Sequence, residues 1–114
     1  MRSCLVLGSG RSGTSMVAGV MAGAGYFMGE QLHSARSANP RGFFEDATIN
    51  SLNEALLRTV APPDLTEGQR WLSDLPADVV LPQVPGADPA IALLTAQAPF
   101  CFKDPRFSYT LPLW

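Results

Sequence analysis

Residues 5–20 read LVLGSGRSGTSMVAGV. Leu5 to Leu7 complete a short β-prone run, RSCLVL at 2–7, which stops at Gly8. From Thr14 the sequence TSMVAGVMAGAG carries alanine, valine and methionine far enough to wind a helix, so the order is strand, glycine turn, helix. Between them GSGRSG, at 8–13, has three glycines and one long side chain, Arg11. Such a turn leaves its backbone N–H groups uncovered at the positive end of a helix dipole, and an anion is the expected guest. A strand fed through a tight turn into a helix is also the opening of a crossover unit, which predicts an α/β fold with a parallel sheet.

On either side of this unit the punctuation is clear. Gly19 and Gly23 share one helix face, where a neighbouring strand can approach closely, and Gly25 closes the helix. YFM at 26–28 is read as a second strand ending at Gly29 and Glu30, and SARSANPRG at 34–42 as a polar loop. Asp46 then caps a helix whose Ile49, Leu52, Leu56 and Val60 recur at helical spacing and which Pro62 and Pro63 stop. Residues 62–98 hold most of the prolines and are expected to form loops and short helices, IALLTAQA at 91–98 among them, with Trp71 and Leu72 anchoring the excursion to the core. In PFCFKDPRF, 99–107, Phe100 to Phe102 read as a buried strand that delivers Lys103 and Asp104 to its C-terminal end, where α/β sheets hold their ligands. One domain is expected, organised as 1–61, 62–98 and 99–114.

A net charge of −2 over 114 residues offers no basic surface to nucleic acid or to an anionic membrane, so an anion must be held by a local site. Apolar residues at 46% suit a packed core, yet no apolar run approaches the length of a membrane span. Arg2 and the AGAG stretch imitate a secretion signal, but Arg11 and its small polar neighbours interrupt the apolar stretch, and a cytoplasmic location is expected. Cys4 and Cys101 each lie in an apolar strand-like run, the setting of reduced core thiols.

Two phosphate-binding patterns overlap in the turn. GSGRSG matches GxGxxG, with Glu30 where a dinucleotide fold keeps its ribose-binding acid, so a Rossmann module for NAD(P) or FAD is one reading. The same residues fit GxxxxGK[ST] through Gly8, Gly13 and Ser15, but Thr14 stands where the lysine belongs. Arg11 instead supplies a charge from inside the turn, and Thr14 and Ser15 put two hydroxyls on the first helical turn, which suits one terminal phosphate or sulfate better than a triphosphate. The plain alternative is a glycine turn with a solvated arginine.

GSGRSGTS resembles the 5′-phosphosulfate loop of the sulfotransferases that use 3′-phosphoadenosine 5′-phosphosulfate, in the branch written PRSGT that includes tyrosylprotein sulfotransferases and many bacterial members. NPRGFFED at 39–46 is similar to an asparagine, glycine, aromatic, glutamate segment of the bacterial members, and KDPRF at 103–107 to their KDP segment. The three matches fall in order and cover most of the chain outside 62–98. The resemblance implies a three-layer α/β/α, P-loop NTPase-like topology and transfer of a sulfonate to an acceptor hydroxyl or amine. In it the backbone of Gly10 to Thr14, including Gly13, and the hydroxyls of Ser12, Thr14 and Ser15 cradle the 5′-phosphate and sulfonate. Arg11 neutralises the bridging oxygen and Lys103 acts as a second cation. Fixed cations and helix-terminal amides are what this chemistry needs, because negative charge spreads over the sulfonate and the leaving phosphate.

The alternative for Lys103 is a surface ion pair with Asp104. The base in the family is a glutamate or a histidine, and Glu30, Glu45 and His33 are the candidates. Glu30 also reads as a loop charge, Glu45 as a first-turn acid favoured by the helix dipole and His33 as a loop residue. The reaction requires no metal. Family members bind the 3′-phosphate through an arginine and a serine on a later strand and helix, and Arg106 and Ser108 stand too close together to replace them. The expectation is therefore the N-terminal part of a sulfotransferase domain with its C-terminal half missing, or a non-catalytic remnant that folds with a partner. A partial sheet would expose an edge open to self-association. The acceptor class stays open among small molecule, glycan, lipid and peptide.

Overall fold

A computed structural model describes residues 1–35, 37, 42–61 and 70–114. The N-terminal apolar run forms β1, Cys4–Val6, which pairs in parallel with β2, Cys101–Lys103, in the register Cys4 to Cys101, Leu5 to Phe102 and Val6 to Lys103. β1 is shorter than the 2–7 run, and β2 begins one residue later than expected.

Residues 26–28 do not form the expected second strand. Phe27 makes a single parallel bridge to Phe100, its N–H donating to the Pro99 carbonyl at 3.0 Å and its carbonyl accepting from the Cys101 N–H at 2.9 Å. Gly25 at φ 94° and Gly29 at φ 115° turn the chain on both sides and leave no length for a ladder. On the other edge, the Cys4 N–H donates to the Phe100 carbonyl at 2.9 Å, so β2 lies between residue 27 and β1.

The period-two alternation of the strands divides the core. Cys4, Val6 and Cys101 pack on one face against Ala18 and Met21 of α1, Thr14–Gly23, and against Phe44. On the opposite face Leu5 and Phe102 meet Ile49 of α2, Ala47–Arg58, Leu94 of α3, Ala87–Leu94, and Phe107 of α4, Phe107–Thr110. The described residues thus make a small α/β unit, a two-stranded parallel sheet with helices on both faces. None of these helices is long and apolar enough to cross a membrane.

Local signals explain most boundaries. Asp46 caps α2: its Oδ1 accepts from Thr48 N–H at 2.8 Å and Ile49 N–H at 3.0 Å, and its Oδ2 from Gln31 N–H at 2.8 Å. The buried stripe of α2 is Ile49, Asn53, Leu56 and Leu57 instead of the expected 49, 52, 56 and 60; Leu52 is half-buried and Val60 lies past the helix end. Asn53 tolerates burial because its Nδ2 donates to Asp104 Oδ2 at 3.0 Å and its Oδ1 accepts from Trp114 Nε1 at 2.8 Å. Pro62 and Pro63 lie outside the described residues.

α3 starts before the expected IALLTAQA, since Asp88 and Pro89 suit a first turn, and Thr95 ends it by donating to the Ile91 carbonyl at 2.9 Å. A 3-10 turn, Arg70–Asp74, seats Trp71 and Leu72 against Leu57 and Leu75, the anchoring role expected of them. Gly19 packs against a ring and not a strand: a Cβ there would stand 3.2 Å from Phe44 Cε2, whereas one at Gly23 would meet nothing within 4 Å. Cys4 and Cys101 are free thiols, and burial, followed by the adjoining Cys4, pushes Cys101 up to about 12.

Candidate functional site

The glycine turn folds back on the start of α1. A Cβ at Gly8, φ 144°, would stand 2.9 Å from Thr14 Cγ2, so only glycine fits there. Gly13, at φ 86°, is the N-cap of α1 and brings no side chain to its first amides, in contrast to Asp46 on α2. The start of the helix borders a cavity of about 320 Å³ lined by Gly10, Arg11, Gly13, Thr14, Ser15, Phe43 and Lys103. Two non-glycine residues among those described have positive φ, Arg11 at 63° and Phe44 at 54°. One lines this cavity and the other adjoins it through Phe43; backbone strain held in this way gathers at functional sites.

Lys103 arrives from the C-terminal end of β2. Its side chain points to the α1 face, as the register with Val6 requires, and is 4% exposed. Nζ lies 2.7 Å from Glu45 Oε1, and also donates to the Phe43 carbonyl at 3.0 Å and to Ser15 Oγ at 3.1 Å. An ammonium has three protons, and three acceptors surround this one. Glu45 is held in turn: its Oε2 accepts from Asn50 Nδ2 at 3.0 Å, and its carbonyl accepts from the His33 N–H at 2.9 Å.

The surface pair Lys103–Asp104 does not form. Asp104 is fully buried; its Oδ1 accepts from the Arg106 N–H at 3.0 Å, an Asx turn across Pro105, and from Arg106 Nη1 at 3.1 Å. Arg106 Nε donates to Glu54 Oε2 at 2.8 Å, which ties the KDPR segment to α2. Burial pushes the Asp104 carboxyl above its ordinary 3.8, against the opposing pull of Arg106 and Asn53.

Arg11, Gly10, Gly13, Thr14, Ser15 and Lys103 are therefore brought to one cavity, with Glu45 bonded to its lysine. Ser12 is exposed and its hydroxyl donates back to the Ser9 carbonyl at 2.6 Å, so it serves the turn itself. Glu30 is exposed and lines a separate space with Gly29, Gln31 and Asp46. His33 is exposed and borders a third cavity together with Glu45. Residues 39–41 of NPRGFFED lie outside the described residues. The Phe43 carbonyl and Asn50 carry no sequence signal for their part; the D-P-R turn was the one available hint of the Asp104 network. Among the described residues no three His, Cys, Asp or Glu side chains gather as a metal site. No family model, curated protein or solved structure matches the chain.

Proposed function

We propose that the chain carries the donor site of a sulfotransferase, which moves a sulfonate from 3′-phosphoadenosine 5′-phosphosulfate to an acceptor hydroxyl or amine. One observation carries this: a turn without side-chain caps, Arg11 and a buried lysine from a distant strand line a single cavity of about 320 Å³. Uncapped amides at a helix start favour an anion, and two cations of different origin suit a group that gains charge at a bridging oxygen. The volume is at the small end of ligand sites and fits a head group while the rest of the donor extends outward.

In the transfer, the acceptor oxygen attacks sulfur, a new S–O bond forms, and the bond from sulfur to the 5′-phosphate oxygen breaks with its electron pair on the leaving nucleotide. Glu45 receives the acceptor proton. It is preferred over Glu30 because it touches Lys103 at 2.7 Å, while Glu30 borders another space. Lys103 reaches the bridging oxygen by exchanging one present bond, the Ser15 Oγ contact at 3.1 Å being the longest. The strand order speaks against the dinucleotide alternative. In that fold the strand after the first helix lies beside the first strand. Here β2 separates residue 27 from β1.

Titration calorimetry of the chain with 3′-phosphoadenosine 5′-phosphate and with NAD tests the proposal. The first should bind, and Arg11→Ala should abolish the signal. Preference for NAD, or unchanged binding by Arg11→Ala, would overturn it.

A further inference from the structure

Glu45 stands between two cavities. Its Oε1 meets Lys103 beside the space lined by the glycine turn, and its Oε2 meets Asn50. On the Asn50 side lies a larger cavity of about 610 Å³, whose wall includes His33, Phe43, Asn50, Ser51, Glu54 and Arg106. Phe43 belongs to both walls, so the two spaces are neighbours across one residue. A molecule in the larger space can therefore meet Glu45, which lines that space and is bonded to Lys103 of the smaller one.

The wall also describes its occupant. Its charges are already matched: Glu54 with Arg58 at 3.1 Å and with Arg106 at 2.8 Å, Arg106 with Asp104 at 3.1 Å, and Glu45 with Lys103 at 2.7 Å. An ammonium or carboxylate on the acceptor would have to break one of these pairs, three of which are largely buried. What the wall offers beyond them is the Ser51 hydroxyl, the Asn50 amide and the His33 imidazole. A single ring, Phe43, provides one apolar face, enough for the C–H face of a sugar but not a two-sided slot for a flat aromatic.

Resting on the sulfonate-transfer reading, we infer that this cavity takes the acceptor, and that the acceptor is a neutral, hydroxyl-rich molecule of the carbohydrate class. One hydroxyl reaches Glu45 Oε2 and Asn50, while its neighbours meet Ser51 and His33. An amine acceptor is thereby disfavoured.

The test is a set of amide ¹H–¹⁵N spectra of the whole chain, titrated with methyl glucoside, methyl galactoside, p-cresol and butylamine at millimolar concentration, each with and without 3′-phosphoadenosine 5′-phosphate. The glycosides should shift the amides of Asn50, Ser51 and Ala55. Ser51→Trp, which fills the cavity from an exposed position on α2, should remove those shifts and leave the nucleotide-induced shifts at Gly10 to Ser15. Ala55→Leu provides a second, milder block. Glycosides that shift nothing, cresol or butylamine acting at these amides in their place, or shifts that survive both blocks would overturn the inference. A nucleotide that still perturbs the turn in those cases leaves the donor site standing. Glycoside shifts without any nucleotide response support the cavity assignment and remove the donor reading.

Discussion

Replacing Lys103 by methionine leaves the Glu45 carboxylate, 9% exposed, without the ammonium 2.7 Å away. Removal of one member of a buried pair costs about 3–5 kcal/mol, because the other charge stays buried and uncompensated. Glu45 keeps its bond from Asn50, so the lower end, about 3 kcal/mol, is expected for Lys103→Met. Glu45→Leu should cost a similar amount, since Lys103 retains only the Phe43 carbonyl and Ser15. The double variant removes both charges, keeps apolar volume, and should lose no more than about 2 kcal/mol, because well-packed apolar replacements of buried pairs are often near neutral. The coupling is then at least about 4 kcal/mol in magnitude, far beyond the ~0.5 kcal/mol within which independent sites add. For a chain of this length each single change lowers Tm by more than about 10 °C. Urea unfolding followed by tryptophan fluorescence gives the four stabilities. Single losses that simply sum in the double variant would refute the buried pair, and with it the placement of Glu45 beside the cation.

Four further outcomes follow from the fold and its burial pattern. Gly29→Ala should lower stability by about 2–3 kcal/mol in urea unfolding, because the new Cβ would stand 2.5 Å from Asp46 Oδ2 at a φ of 115° and displace the cap of α2. Gly23→Ala, with open space around its Cβ, should raise stability by about 0.5–1 kcal/mol. Asp104 binds its proton more tightly in the folded state, its pKa being raised from 3.8 by burial. Its contribution is therefore greatest below 3.8 and falls as pH rises toward the folded value, by at most about 1.4 kcal/mol per pH unit. Asp104→Asn should remove this slope when urea midpoints are compared across that acidic range. Cys101, fully buried and pushed up to about 12, should resist iodoacetamide at pH near 8 until urea unfolds the chain, as read by mass spectrometry of its peptide.

Much of the cavity at the glycine turn was legible because its signals are local. The glycines of the turn and the Asp46 cap on Thr48 and Ile49 act on residues within a few positions of themselves, and the chain folds there as they dictate. Lys103 and Glu45 were both candidates, yet nothing in the sequence paired them, since their contact depends on how β2, α1 and the 42–46 segment pack across 58 positions. Glu30 and Glu45 were indistinguishable for the same reason: each follows glycines and aromatic residues, and only the tertiary fold separates the spaces they border. Residues 26–28 have strand propensity, but positive-φ glycines on either side confine them to one bridge. Asn53 breaks the apolar stripe of α2 because its partners, Asp104 and Trp114, are remote in sequence.

A crystal structure of the chain grown with 3′-phosphoadenosine 5′-phosphate tests the central claim most directly. The 5′-phosphate should lie within hydrogen-bond distance of the amides of Gly10 to Thr14 and of Lys103 Nζ, with the Arg11 guanidinium against it. A nucleotide seated elsewhere, or one that leaves Lys103 bonded as now to Glu45, Phe43 and Ser15 without touching the phosphate, would contradict the account.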